Sequence, residues 1–578
     1  MQKESVDVLI LGSGGAGLFA AIHAYDLNPS LKILVVTKGL MGKSGCTRMV
    51  QGGFNVVLDP ADSIERHFSD TLKGGRYIND QELAWALVAD APATINELET
   101  QVGCFFDRRE DGTIHQKAFA GQSFDRTVHR GDLTGIEIME RLRDQVLARG
   151  ILVLEEHRAV ELMGDGTRVT GALVMDLRRG TFTGISSRAT LLATGGGPTM
   201  YKIAAPSLEK SEDGLALAYR AGALMRDMEM VQFHPTGLLA GAGRVTGSVL
   251  EEGLRGAGGY LFNATGERYM ARYDKNRMER ATRDVVARAG YMEIMAGRHG
   301  PQGGVFIDVS HLGRAFVRKT FPGMVQRVQD VGFDLTTGPV EVSPTAHFHM
   351  GGVGIDAWGH SSLSGLYVAG EDAGGVHGAN RLGGNGVAES TIYGRRVGDA
   401  LGREAMDHPL VTTSDADWEA RARHHARFWM RNRGLNPAHL LTELRSLMWD
   451  RCGLVRRQSD LVACQDALHD LASRVEEVAV GGDLEYNLRW SDALNVESLI
   501  TVSQMVVQSA LVRTESRGSH YREDYPEEDN RHWLKTVYLQ KDPGEGPPIT
   551  MTQDITFSRQ IPEPLKEAVK GDQFMAPR

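Results

Sequence analysis

Residues 6–37 read VDVLILGSGGAGLFAAIHAYDLNPSLKILVVT. A six-residue apolar run, Val6 to Leu11, meets Gly12-Ser13-Gly14-Gly15-Ala16-Gly17 without a spacer. The segment LFAAIHAYDL then carries a helical apolar pattern, and a second apolar run (KILVVT) closes at Thr37. Strand, glycine turn, helix and strand in this order predict the opening of a Rossmann unit, with a pyrophosphate at the helix N-terminus, where amides are free and the dipole is positive. Thr37-Lys38 stands where an acidic ribose ligand would end the second strand, which weighs against a simple NAD dehydrogenase.

Outward from this unit, a helix is predicted over 132–149, followed by one strand over ILVLEEHRAVELM (151–163) and strands at VTGALVMDL and RATLLATGGG. The glycines after Ala193 and Thr194 suggest a second cofactor-contacting turn. The pattern breaks over 237–351 and resumes as a buried parallel-type strand at GLYVAGE (365–371). From about 415 to 515, apolar residues recur at helical spacing, and the tail from 537 reads as a turn-linked extended arm. The fold expected is α/β: a Rossmann-like first domain (1–236 and 352–410) interrupted by an α+β cap (237–351), then a helical bundle (411–536) and a C-terminal arm (537–578).

The 578 residues carry a net charge of -10, which argues against a nucleic-acid partner. The 68 glycines gather in short runs, as in a chain wrapped closely around a large cofactor. No apolar stretch approaches a membrane span, and the start enters a strand with no signal-peptide region. A cytoplasmic protein is expected, peripheral to the membrane only through a partner. Cys46, Cys104, Cys452 and Cys464 have no metal-ligand spacing, so no metal or iron–sulfur site is expected in this chain.

Eight blocks in order resemble the flavoprotein subunits of succinate dehydrogenase and fumarate reductase, whose relatives include L-aspartate oxidase. They are GSGGAG (12–17), QGGFN (51–55), RDMEMVQFHPTG (226–237), RGAGGYLFNATGERYM (255–270), TRDVVARA (282–289), PTAHFHMGGV (344–353), AGEDAGGVHGANRLGGNGVAES (369–390) and RTESRGSHYREDYP (513–526).

The resemblance implies FAD along the first domain, with the cap over its ring. Gly12, Gly14, Ala16 and Gly17 would hold the pyrophosphate. Thr37, Lys38, Ser44, Cys46, Thr47, Gln51, Gly52, Gly53, Ala159, Ala193, Thr194, Gly195 and Asp213 would line the cofactor. Glu371 would meet the ribityl chain, with Asn385, Gly386, Val387 and Arg381 near the ring.

It also implies interconversion of a saturated and an unsaturated C4-type dicarboxylate, with hydride exchange at flavin N5. Arg381 is the expected main carboxylate clamp, since a guanidinium pairs a carboxylate bidentately. His234 and His347 match the family's other carboxylate donors. Arg283 matches its proton shuttle and Glu252 the acidic relay that recharges it. Phe119 and Gln122, in KAFAGQS, are expected at the substrate. A separate iron–sulfur subunit is the implied electron partner.

Two departures bear on the activity. Respiratory members carry a flavin-linking histidine five residues before the QGG glutamine, and Cys46 stands there. Noncovalent FAD is therefore expected, with a cysteinyl bond as the alternative, and succinate oxidation is put in doubt. Fumarate reductases place a hydroxyl residue before the relay glutamate, where this chain has Glu251. Glu251 either meets an ammonium or hydroxyl on a substituted dicarboxylate or turns into a salt bridge. The first of these favours an L-aspartate oxidase-like flavoenzyme over a protein of the fumarate reductase type. A flavin-bound scaffold without activity is the third reading, and the intact arginines and histidines weigh against it.

Overall fold

The computed structural model describes the chain except residues 208, 545, 570–572 and 574–578. The first apolar run becomes β1 (Gln2–Leu11), the glycine turn leads into α1 (Gly15–Leu27), and β2 follows at Ile33–Thr37. Every residue of β2 is buried, as a strand covered on both faces requires. Around them a seven-stranded sheet forms from β3 (Leu152–Glu155), β4 (His157–Gly164), β5 (Val169–Asp176), β6 (Thr181–Leu192) and β11 (Leu366–Val368). β2 runs parallel between β1 and β3, and β1 runs parallel to β6. The long β6 then serves two neighbours on its other side: its first half pairs antiparallel with β5, its last three residues parallel with β11.

Residues 151–163 are not one strand. Glu156 takes a left-handed backbone (φ 57°), so β3 joins β2 while β4 turns away to pair antiparallel with β5. Apolar alternation reads alike on both sides of this bend, and no glycine or proline marks it. The tail is likewise more than an arm. β12 (Lys535–Gln540) pairs with Met225 and Arg226, and β13 (Ile549–Asp554) forms a hairpin on it. The end of the expected arm lies outside the described residues.

Between β6 and β11 the chain builds a four-stranded antiparallel sheet from β7 (Val231–Leu238), β8 (Tyr260–Phe262), β9 (Val305–Asp308) and β10 (Val340–His349). With α4 (Arg283–Met295) and α5 (Pro322–Gln329) it has its own apolar core. Beyond β11 runs α6 (Asn385–Glu404), which lies against α1 so closely that a Cβ on Gly394 would sit 2.7 Å from the Ala16 carbonyl oxygen, and one on Gly398 2.6 Å from that of Ala20. This approach brings the N-termini of α1 and α6 to one place. Four helices, α7 (Asp415–Met430), α8 (Pro437–Arg451), α9 (Gln458–Val475) and α10 (Leu488–Val512), form the bundle expected from the 3.6-residue periodicity. No helix among the described residues is long and apolar enough to cross a membrane.

Candidate active site

One continuous cavity runs from the N-terminus of α1, past α6, to the inner face of the four-stranded sheet. Its first half is built on backbone. Gly12 (φ 118°) lies so close to β6 that a Cβ would fall 2.0 Å from the Ala193 oxygen. A Cβ on Gly17 would strike the Gly12 oxygen at the same distance, so Gly17 sets the turn and does not itself reach the cavity. No side chain caps α1 and no acid lies in its first turn, which leaves its N-terminus open to an anion.

At the far wall Lys38 donates to Ser211 (2.9 Å), Asp213 (3.2 Å) and Asn495 (2.8 Å), and Arg158 donates to Asp213 at 2.6 Å. Burial, aided by Arg158, lowers the Lys38 ammonium to about 8. Burial would raise the Asp213 carboxyl, but Arg158 and Lys38 outweigh it and hold it well below the usual range. Ser13 donates to Thr37 (2.8 Å), and Thr47 Oγ1 accepts from the Gly15 amide (3.2 Å). Ala16, Ser44, Gln51, Gly52, Gly53, Ala159, Thr194, Gly195, Gly386 and Val387 also line this half. Glu371 Oε1 accepts the His349 amide (3.0 Å), and burial pushes its carboxyl up to about 7. Cys46 faces the cavity as a free thiol that burial drives up to about 11. A long backbone-lined trough ending at an open helix N-terminus, with cations at its far wall, fits a dinucleotide such as FAD.

The second half is built on side chains. β7 and β10 pair antiparallel and present His234 and His347, whose ring centroids lie 5.4 Å apart. Burial, with Arg283 nearby, pushes both imidazoles far below 6.5, so both are neutral. His234 Nδ1 accepts from the Thr236 amide (3.3 Å), which leaves the proton on Nε2, a buried atom without a partner. Arg381 lies over the Phe348 ring (4.4 Å) with its Nε likewise unpartnered, and burial with Arg283 repulsion lowers it to about 9.

Arg283, the first residue of α4, donates through Nε to Glu252 Oε2 at 2.8 Å, and its Nη2 lies 2.6 Å from the same oxygen. Its Nη1 donates to Gln232 Oε1 (3.1 Å), while Gln232 Nε2 donates to the Arg381 carbonyl (2.8 Å). Arg255, fully buried behind, reaches the other Glu252 oxygen at 3.8 Å. Burial would raise the Glu252 carboxyl, but Arg283 and Arg255 hold it below its ordinary value, with a smaller pull from Arg381. Three guanidinium groups thus face one carboxylate, an excess of two positive charges that a dicarboxylate would neutralise.

Phe119 lines the cavity against Gly52, and Glu251 reaches it with its Oε1 2.7 Å from Lys117 Nζ. Gln122 and Asn385 do not reach it. Gln122 donates to the Gly383 carbonyl (3.2 Å), and the Asn385 amide is held by Asn55 (2.7 Å) and Thr71 (3.3 Å). Sequence reading missed Gln232, Arg255, Arg158 and Lys117. Arg255 and Gln232 lay inside blocks that carry the resemblance and Lys117 opens KAFAGQS; Arg158 had no such signal.

The FAD binding domain family matches residues 7–387, and the fumarate reductase flavoprotein C-terminal family matches 441–568. One of the polypeptides of the fumarate reductase (CoM/CoB) of Methanothermobacter marburgensis is 41% identical over 546 residues, 94% of this chain and 98% of that protein. The 8-methylmenaquinol:fumarate reductase flavoprotein subunit of Wolinella succinogenes is 34% identical over 92% of this chain and 88% of its own length. A solved mutant of E. coli quinol fumarate reductase superposes with a TM-score of 0.91 at 31% identity, covering 97% of this chain and 98% of that one.

Proposed function

The chain belongs to the family of fumarate reductase and succinate dehydrogenase flavoproteins, and on that premise we propose that it reduces fumarate, or a close C4 dicarboxylate, with an arginine as the proton donor. The observation that carries this reading is the Arg283–Glu252 pair standing in one cavity with His234, His347 and Arg381. When bound, FAD supplies the hydride.

The residues of the chain do the rest. Arg381 and His234 clamp the carboxylates through their unpartnered donors, with His347 beside them on the same wall. Arg283 gives a guanidinium proton to the carbon beside the one that receives the hydride. A free arginine is a poor acid, and the Glu252 carboxylate that grips it lets the proton be replaced as it leaves, with Arg255 feeding Glu252 from behind. The excess positive charge also stabilises the carbanion-like charge that develops on the substrate.

Reduction is the working direction, in keeping with Cys46 standing where respiratory members carry their flavin-linking histidine. Lys117 already neutralises Glu251, so no substrate ammonium is needed to match that carboxylate. This supports an unsubstituted dicarboxylate over the amino- or hydroxy-substituted substrate of an aspartate-type oxidase. Electrons come from a separate iron–sulfur subunit, in keeping with four dispersed free cysteines here.

The test is to reduce the flavin-loaded protein anaerobically and add fumarate. Reoxidation well above the substrate-free rate is expected, and its loss in Arg283→Gln. Equal rates with and without fumarate would end the proposal.

A further inference from the structure

Arg283 and Asp284 are consecutive residues at the start of α4, and they face different partners. Arg283 points into the cavity toward Glu252. Asp284, also buried, pairs with Arg76 across the boundary between the cap and the first domain, with Arg76 Nη2 3.1 Å from Asp284 Oδ2. Arg76 follows α2 (Ile64–Gly74), on a loop built to hold one shape. Arg76 and Tyr77 both adopt left-handed backbone, with φ 54° and 66°. Two adjacent residues other than glycine in that region persist only where the surroundings over-determine them. Here the surroundings are visible. The Gly75 carbonyl accepts from the Ala379 amide (2.9 Å), the Arg76 carbonyl accepts from Arg517 Nη1 (2.9 Å), and the Tyr77 amide donates to the Leu72 carbonyl (2.9 Å). Arg517 is itself fully buried and paired with Glu515 (2.7 Å). The Arg76 guanidinium therefore extends from a rigid base.

We propose that Arg76 is a positioning residue for the proton transfer: through Asp284 it fixes the first turn of α4, and with it the Arg283 guanidinium, against the substrate. Arg76 touches neither the cavity nor Glu252. Its effect runs along one peptide unit, from the Asp284 carboxylate to the neighbouring Arg283 side chain. The rate readout of this role rests on the fumarate-reducing reading, whereas the hold of Arg76 on α4 does not.

Arg76→Asn is the informative variant, because asparagine tolerates the left-handed backbone while its short amide cannot replace the guanidinium. Arg76→Lys restores the charge. In the flavin-loaded protein, Arg76→Asn is expected to lower kcat for fumarate reduction by about tenfold or more, the scale of an ångström-sized misplacement. Fumarate affinity, read from the perturbation of the flavin spectrum, and flavin content should stay as they were. Arg76→Lys should recover a large part of the lost rate. Amide hydrogen exchange over 282–288 should quicken in Arg76→Asn and return toward the parent in Arg76→Lys. An unchanged kcat with unchanged exchange overturns the assignment, as does a fall in kcat that tracks loss of flavin or of fumarate affinity. If the parent protein does not reduce fumarate, the functional reading fails, while the exchange comparison still decides whether Arg76 holds α4.

Discussion

Arg283 and Glu252 meet at 2.6 Å on the wall of the cavity and are otherwise buried, one at the start of a cap helix and the other in the loop after β7. In the proposed reaction the pair joins the group that delivers a proton to the group that resupplies it. Glu252→Gln keeps the shape and one hydrogen bond but removes the base. Its kcat for fumarate reduction should fall about 10²–10⁴-fold, the usual worth of a positioned acid–base group. Stopped-flow reoxidation of the reduced protein checks this; a change below about threefold would remove Glu252 from the relay.

The thiol of Cys46 bears on how the cofactor is held. Held up to about 11 by burial, it is protonated at neutral pH. Denaturing the yellow protein in acid should release all of its flavin to the supernatant, and Cys46→Ser should bind FAD with the same visible spectrum. Flavin that stays with the precipitated polypeptide would contradict this.

Lys117 and Glu251 form a mostly buried pair at the rim of the substrate end, with the carboxyl pushed up by burial and pulled back by the ammonium. Lys117→Met strands the carboxylate, which should cost about 3 kcal/mol of stability in a urea titration. It should also weaken fumarate binding, since an unpaired negative charge would face a dianion. Adding Glu251→Met should restore most of both. A double variant no better than Lys117→Met alone would mean that the pair is not the unit that matters.

His67 supplies a pH signature. Burial lowers its imidazole to about 3, with Arg126 adding to the effect, and its Nε2 lies 3.4 Å from Asn385 Oδ1. The folded state thus refuses a proton that the unfolded chain accepts near 6.5. Below that value the unfolded state binds more protons, so stability falls as pH falls, by up to about 1.4 kcal/mol per unit from this residue. In His67→Gln the slope of unfolding free energy between pH 4 and 6 should be shallower by about that amount. Parallel slopes would show that His67 keeps its proton in the native state.

The opening Rossmann unit was readable because each part leaves a local mark: a buried strand is continuously apolar, a tight turn needs glycine, and a helix repeats every 3.6 residues. The cavity residues His234, His347, Arg283 and Arg381 were readable because they sit within quoted blocks. Gln232 shares a block with His234 but was not singled out, since one amide in an apolar strand looks like any other, and its worth lies in touching Arg283 and Arg381 at once. Lys117 lies far in sequence from Glu251, so no spacing pairs them. Gln122 and Asn385 were expected at the ligands, and neither lines the cavity: the Asn385 amide is held by Asn55 and Thr71, while Gln122 donates to Gly383 and keeps a buried carbonyl oxygen without a partner. Which partner an amide takes is decided by tertiary geometry. The bend at Glu156 is similar: its reason lies in β2 and β5, the two strands that compete for its flanks.

The order in which the parts are made follows from β6 standing between β1 and β11. Gly12 is made well before Ala193 and Val387, yet the trough it opens is lined by both. A nascent chain that stops short of α6 has one side of its cofactor bed and no lid. The full cofactor bed is therefore in place only once α6 has been made. Until β11 is made, the C-terminal end of β6 offers an unpaired edge, which makes the incomplete chain the form most exposed to misassociation and to proteases.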